Sequence, residues 1–377
     1  MNTQELIDTA KSLVDGDKGL LAIDESTGTC NKRFAEWGIP QTEEARRAYR
    51  ELLITTPGLS KCISGVILYD ETIRQKKKDG TSFLKVLSDA GIISGIKVDI
   101  GAKEMAGQPG EKITEGLDGL RGRLADYVQM GARFAKWRAV IALGEGLPSQ
   151  ACIEANTQAL ARYAALCQEA GVVPVVEPEV LMDGDHSIGR CGEVTAEVLR
   201  ALFNELNSQG VMLEGMILKP NMVVPGFGCP QREEVKEVAI GEQQYKVRLS
   251  AVQEEDVNEV ADATVNCLLR TVPAAVPGIA FLSGGQPGEL ASALLNAMNL
   301  RFKSRMPWAL AFSFARALQQ PALEIWHGEQ ANVAVAQRAL LHRAKCNNAA
   351  RRGEYNIGME LAEGGPAQVS LARATHL

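Results

Sequence analysis

The residue with the most chemistry to offer is a lysine at the end of an apolar run, directly before a proline, in LEGMILKPNM at 213–222. The amine of Lys219 is a nucleophile only when uncharged. An unperturbed lysine, with a pKa of ~10.4, is neutral less than about one time in a thousand at pH 7. Burial and nearby cations raise the neutral fraction. Lys136 and Arg138 in FAKWRAVI are such cations, expected on a neighbouring strand and, two residues apart, on one face of it. A lysine held there is suited to form a Schiff base with a ketone, and the iminium is an electron sink for making or breaking a C–C bond. Forming it needs a carboxylic acid to move protons. Glu177 and Glu179 in VVPVVEPE are the candidates, and Asp24 in GLLAID can take a proton from a hydroxyl as the bond breaks.

A second chemistry is anion binding. In Ser283-Gly284-Gly285 the glycines lack Cβ, so backbone N–H groups can approach a phosphate closely. Ser313 and, just beyond it, Arg316 add a hydroxyl and a guanidinium.

These residues must be positioned by rigid elements. Eight short apolar runs stand out: 19–24, 64–69, 95–100, 134–141, 172–179, 215–220, 278–285 and 308–314. Helical patterns lie between most of them, among them TEEARRAYRELLIT at 42–55 with Thr42 as cap, an Ala- and Leu-rich segment from Ser149 to Ala170 that stops at Gly171, and segments at 254–272 and 330–344. Alternating strand and helix predicts an α/β protein with a parallel sheet, and eight strands predict a closed (β/α)8 TIM barrel. An open doubly wound sheet is the alternative, but neither GxGxxG after the first strand nor GxxxxGK[ST] occurs. In a barrel, the C-terminal strand ends face one mouth. Asp24, Lys97, Asp99, Lys136, Arg138, Glu177, Glu179, Lys219, Ser283 and Ser313 all fall at such ends, and the loops after strands seven and eight are where barrels often hold phosphate. Residues 1–350 read as one barrel domain and 351–377 as a mobile C-terminal tail. The stretch 229–250 reads as an excursion after the sixth strand, and Lys76 to Lys78 as a solvated loop.

Composition narrows the class. The 377 residues, 46% hydrophobic, suffice for a large core, and the formal charge of -6 argues against nucleic acid or an anionic membrane as main partner. No apolar run approaches the roughly 20 residues of a membrane span, and the N-terminus, with Glu5, Asp8, Asp15 and Asp17, lacks the pattern of a targeting peptide. A cytoplasmic protein is expected. The eight cysteines are scattered, without CxxC or a histidine at finger spacing, and the four histidines are dispersed, so reduced thiols and no metal are expected.

At these residues the chain resembles the class I fructose-1,6-bisphosphate aldolases. The resemblance runs from about residue 4 to 350 through LAIDESTGT, GVILYDET, GIKVD, GLDGL, FAKWR, VPVVEPEVLMDGDH, LEGMILKPNMVVPG, FLSGGQ and PWALAFSFARAL, in the family's order. It implies reversible cleavage of fructose 1,6-bisphosphate to dihydroxyacetone phosphate and glyceraldehyde 3-phosphate, without metal or other cofactor, in a homotetramer. It also implies roles. Lys219 is the Schiff-base nucleophile, Glu177 the main acid and base, and Glu179 its support. Asp24 assists cleavage through the C4 hydroxyl. Lys136 helps carbinolamine chemistry, and Arg138 contacts substrate phosphate. Ser283, Gly284 and Arg316 hold the C1-phosphate, with Ser313 beside them. Ser26, Thr29, Arg33 and Lys97 lie toward the C6-phosphate.

Some positions depart from the family pattern. Ile217 stands where leucine or serine is commoner, Thr29 where serine is frequent, and Ala315 replaces the glycine of Ser-x-Gly-Arg. The vertebrate members end in a tyrosine that assists enamine protonation. This chain ends RATHL, with His376 and Leu377, and Tyr355 is its nearest tyrosine. Two other readings of the same residues stay open: a sedoheptulose-bisphosphate aldolase, and a non-catalytic scaffold that binds sugar phosphates.

Overall fold

The structure, a computed structural model, describes residues 3–229, 235–240, 243–248 and 254–361. In chain order it runs α1 (Thr3–Leu13), β1 (Gly19–Ala22), α2 (Thr27–Glu36), α3 (Glu43–Ile54), β2 (Ile63–Leu68), α4 (Asp70–Arg74), α5 (Phe83–Asp89) and β3 (Ile93–Lys97). A small antiparallel pair follows, β4 (Gly101–Glu104) with β5 (Lys112–Glu115), then α6 (Leu120–Met130), β6 (Phe134–Ile141), α7 (Gln150–Glu169), β7 (Val173–Val180), α8 (Ile188–Ser208) and β8 (Ile217–Leu218). The rest is β9 (Val235–Ile240), β10 (Gln243–Arg248), α9 (Glu254–Thr271), β11 (Gly278–Phe281), α10 (Gly288–Phe302), β12 (Ala309–Phe314), α11 (Arg316–Trp326) and α12 (Val333–Arg352).

Eight strands close into one parallel barrel in the order β1, β12, β11, β8, β7, β6, β3, β2. Each of the eight apolar runs supplies one of them. The expected helices form as well. The Thr42 hydroxyl accepts from Ala45 N at 3.2 Å to start α3, and the Ser149 hydroxyl accepts from Cys152 N at 3.1 Å to start α7. Gly171, with φ +77°, follows the end of α7 in the left-handed conformation that a helix stop favours.

Period-two alternation explains how the barrel carries its site. Leu20 and Ala22, Phe134, Val173 and Val175, Ile217, Ala280 and Ala311 form one internal cluster. The outward residues between them, such as Leu21, Ala135, Trp137, Val176 and Leu218, pack under the helices. Leu6, Ala10 and Leu13 of α1 join the internal cluster, so this helix closes the lower end. Continuing the inward parity up each strand leads from Ala22 to Asp24, from Phe134 to Lys136 and Arg138, from Val175 to Glu177 and Glu179, and from Ile217 to Lys219. The interior is thus apolar below and charged at the mouth, in one unbroken register. Space inside is tight: a Cβ on Gly95 of β3 would come within 2.3 Å of the Phe134 ring, so only glycine fits there.

Two boundaries differ from the sequence reading. The last helix continues to Arg352 instead of stopping near 344, and residues 351–361 are docked where the sequence reading had the start of the tail. Arg351 is buried and donates to the carbonyls of Leu310 at 3.0 Å, Val14 at 3.1 Å and Lys18. A buried guanidinium with three carbonyl acceptors fixes the helix end to the barrel floor. Residues 362–377, with His376, lie outside the described residues. The excursion after the sixth barrel strand contains an antiparallel pair, β9 with β10.

Candidate active site

Lys219 leaves β8 just before Pro220, which has no N–H with which to continue a ladder. Its own N–H donates to Val176 O at 2.8 Å, and Asn221 then anchors the turn. The Asn221 Oδ1 accepts from Val180 N at 3.0 Å, and its Nδ2 donates to Thr195 Oγ1 at 3.1 Å and Met222 O at 3.0 Å. The Lys-Pro-Asn triplet therefore ends the strand and ties its top to β7 and α8. This holds the lysine on rigid backbone at the mouth.

The charged ends form one buried cluster. Lys219 Nζ lies 3.1 Å from Glu177 Oε1. Lys136 Nζ lies 2.8 Å from Glu177 Oε2 and donates to Asp24 Oδ2 at 2.9 Å. All four side chains are buried. Two lysines and two carboxylates interleave in the cluster, so it is not a field of positive charge. Here the structure corrects the sequence expectation. The strand of Lys136 and Arg138 is not next to that of Lys219, because β7 pairs with β6 on one side and β8 on the other. A sequential parallel barrel requires this, and it places Glu177 between the two lysines.

Burial alone would push the Asp24 carboxyl up, but Lys136 and then Lys219 outweigh it and hold the group at about 2. Burial likewise opposes ionisation of Glu177, and Lys136 and Lys219 again reverse the direction, to below the usual range. For Lys136 burial favours the neutral amine, whereas Asp24 and Glu177 drive it well above its ordinary value. Lys136 is a fixed cation.

Glu179, on the same face as Glu177, bonds elsewhere: its Oε2 accepts from Arg138 Nε. Arg138 is partly exposed at the mouth, its backbone N–H donating to Asp99 Oδ2 at 3.2 Å. Lys97 Nζ donates to Asp99 O at 2.9 Å and to the Asp99 carboxylate.

The cavity above these groups has a volume of about 1030 Å³. Every residue the sequence reading assigned to the site lines it: Asp24, Ser26, Thr29, Arg33, Lys97, Lys136, Arg138, Glu177, Glu179, Lys219, Ser283, Gly284, Ser313 and Arg316. On one side Gly284 and Gly285 take φ of +55° and +98°, where glycine is favoured, and a Cβ on Gly285 would stand 2.9 Å from Arg316 Nη2. The loop and the arginine are thus in direct apposition. The Ser313 Oγ is buried at this wall without a hydrogen-bond partner among the described residues, free for a ligand. Ala315 precedes α11 at φ −102°, so this backbone does not demand the family's glycine. On the other side Ser26 caps α2, accepting from Thr29 N at 3.3 Å, and presents a helix N-terminus, an anion-favouring end.

Two features were missed or misjudged from sequence. Glu25 also lines the cavity, its side chain 10% exposed and ion-paired with Arg33 and with Arg50 at 2.9 Å. Alternation on β1 sends residue 25 away from Asp24, but the pairing of this strand runs out after Ile23 N–H bonds Ile67 O at 3.0 Å, and beyond Asp24 the parity no longer holds. Nothing in the spacing could have found this. Arg33 is less free than its implied phosphate role requires. It donates to Glu25, to Gln319 Oε1 at 3.2 Å and to Gln320 Oε1 at 3.3 Å. Gln319 in turn donates to Ala22 O and, at 3.0 Å, to Glu25.

Comparisons with known proteins show the family. The family model described as fructose-bisphosphate aldolase class-I matches residues 5–248 and 243–374. A protein of Xanthomonas campestris pv. campestris named "Probable fructose-bisphosphate aldolase class 1" is 54% identical over 356 residues, covering 94% of this chain and 99% of the relative. The Arabidopsis thaliana protein named "Fructose-bisphosphate aldolase 6, cytosolic" is 50% identical, covering 96% and 94%. Among solved structures, the fructose-bisphosphate aldolase of Plasmodium falciparum, in complex with TRAP and a small-molecule inhibitor, matches with a TM-score of 0.86 at 44% identity, covering 94% of this chain and 95% of that one. With its closed barrel, its lysine-carboxylate cluster and these relatives, the chain belongs to the class I fructose-bisphosphate aldolase family.

Proposed function

We propose that Lys219 is the nucleophile through which this aldolase works, and that the residues around it divide the proton transfers as follows. The observation that carries the proposal is the 3.1 Å approach of Lys219 Nζ to Glu177 Oε1 inside a cavity lined at two sides by anion-binding loops. Transfer of one proton from the ammonium to Glu177 gives the neutral amine and the carboxylic acid in a single step. The amine adds to C2 of the keto sugar. Glu177 protonates the new alkoxide, takes a proton back from the cationic nitrogen of the adduct, and delivers it to the departing hydroxyl, so water leaves and the iminium forms. Asp24, ionised at neutral pH, takes the C4 hydroxyl proton as the C3–C4 bond breaks. The electron pair passes into the iminium to give an enamine, and glyceraldehyde 3-phosphate departs. Protonation at C3 and hydrolysis release dihydroxyacetone phosphate. Lys136 stands between the two carboxylates as a fixed cation and keeps Asp24 charged while Glu177 exchanges its proton.

The loop at Ser283 to Gly285, with Ser313 and Arg316, fits the C1-phosphate. Ser26 and Thr29 at the start of α2, with Lys97, fit the C6-phosphate. Arg33 acts there through Glu25 and Gln319. Glu179 orients Arg138 and is at one remove from the amine. A homotetramer and a cytoplasmic location go with this reading. The location is supported by the plant relative named cytosolic. The test is turnover of Lys219→Met. The proposal expects no measurable cleavage from a folded variant, and full turnover would refute it.

A further inference from the structure

Away from the barrel mouth, three buried side chains of metal-ligand type meet at the end of α12. His342 and Cys346 stand four residues apart on that helix, so they project from one face, one turn apart. Glu360 returns to them from the 3₁₀ turn at Ile357–Leu361. The His342 Nε2 lies 3.5 Å from Cys346 Sγ and 3.5 Å from Glu360 Oε2. One donor atom from each residue falls within 4.8 Å of the other two. Their exposures are 8%, 0% and 7%, so each is more than nine-tenths buried. None of them lines the cavity above Lys219.

The two oxygens of Glu360 differ. Oε1 accepts from Arg343 Nη1 and, at 2.7 Å, from the Tyr355 hydroxyl. Oε2 has no hydrogen-bond donor among the described residues and faces the imidazole. A buried carboxylate oxygen left this way carries a desolvation cost that a cation can remove. Tetrahedral zinc binds His nitrogen, Cys sulfur and carboxylate oxygen at ~2.0–2.3 Å, which makes the edges of its tetrahedron about 3.3–3.6 Å. The two pairs measured from Nε2 already have that separation. Arg343 and Tyr355 on Oε1 are the outer partners that orient a ligating carboxylate. Magnesium and calcium prefer oxygen alone, so one nitrogen, one sulfur and one oxygen select zinc.

We infer that His342, Cys346 and Glu360 form a structural zinc site, with water as fourth ligand, that clasps the turn at 357–361 to α12. The Cys346 proton passes to solvent as the Zn–S bond forms. The aldol chemistry at Lys219 is not routed through this site. A search for finger spacing overlooks it, because its third ligand lies beyond the helix end.

The test uses the full-length protein, treated with chelator, exchanged into chelator-free buffer and titrated with Co²⁺ as a spectroscopic substitute for zinc. One equivalent should produce a thiolate-to-cobalt charge-transfer band with the visible bands of a tetrahedral site, and Zn²⁺ should bleach both. Cys346→Ala should lose the thiolate band, whereas Cys229→Ala, at the half-exposed thiol, should keep it. His342→Gln should weaken Co²⁺ binding at least tenfold, and it serves if Cys346→Ala does not fold. No band at stoichiometric Co²⁺, a band that survives Cys346→Ala, or unchanged affinity in His342→Gln would overturn the site and leave the cluster as an ion-pair latch.

Discussion

Lys136 and Asp24 meet across the barrel at 2.9 Å, joining β6 to the loop that follows β1. The same ammonium lies 2.8 Å from Glu177. One cation therefore separates two buried carboxylates that would otherwise repel each other. Lys219, the proposed nucleophile, lies on the far side of this group, 3.1 Å from Glu177 Oε1.

Lys136→Met leaves both carboxylates buried without the charge between them. Removing one partner of a buried ion pair costs about 3–5 kcal/mol. The variant should be less stable by that order in urea denaturation, and kcat should fall by two orders of magnitude or more. Native stability would show that the bridge is dispensable.

Glu177 and Glu179 are separable. Only Glu177 touches Lys219, whereas Glu179 holds Arg138. Glu177→Gln should reduce kcat about 10²–10⁴-fold, the range for loss of a general acid. Glu179→Gln should lower it less and act mainly on KM, through the loosened arginine. Steady-state kinetics on the two variants decides the matter, and equal losses would reassign the acid.

Acid should destabilise the fold through Asp24. Its carboxyl sits at about 2 in the folded protein against an ordinary 3.8. A lowered folded-state value stabilises above the unfolded one, so this contribution is complete above about pH 4 and is lost as pH falls towards 2. The span corresponds to about 2 kcal/mol. Denaturant unfolding at pH 5 and pH 2.5 should show that loss, and Asp24→Asn should show a shallower dependence. An unchanged slope in the variant would mean the ion pair is not linked to folding.

Much of this arrangement was legible because strands and helices have different periods. FAKWRAVI is a strand over its full length, and its alternation alone puts Lys136 and Arg138 on the inner face. Lys219 was legible as an oddity, a charged residue closing an apolar run. What failed was adjacency and chain direction. The neighbour of a strand in a closed barrel depends on counting strands, and β7 stands between the two lysines. Glu25 lies past the end of β1, where alternation no longer says which way a side chain turns. The docking of 351–361 rests on Arg351, Tyr355 and Glu360 finding partners far along the chain, which a local pattern does not carry.

The most direct measurement is borohydride reduction in the presence of dihydroxyacetone phosphate, followed by peptide mass mapping. An imine captured on this amine becomes a stable secondary amine that keeps the mass of the three-carbon sugar. The account predicts one modified peptide, carrying LEGMILKPNM with the adduct on Lys219, and inactivation in proportion to its yield. Inactivation without an adduct, or an adduct on Lys136 instead, would contradict it.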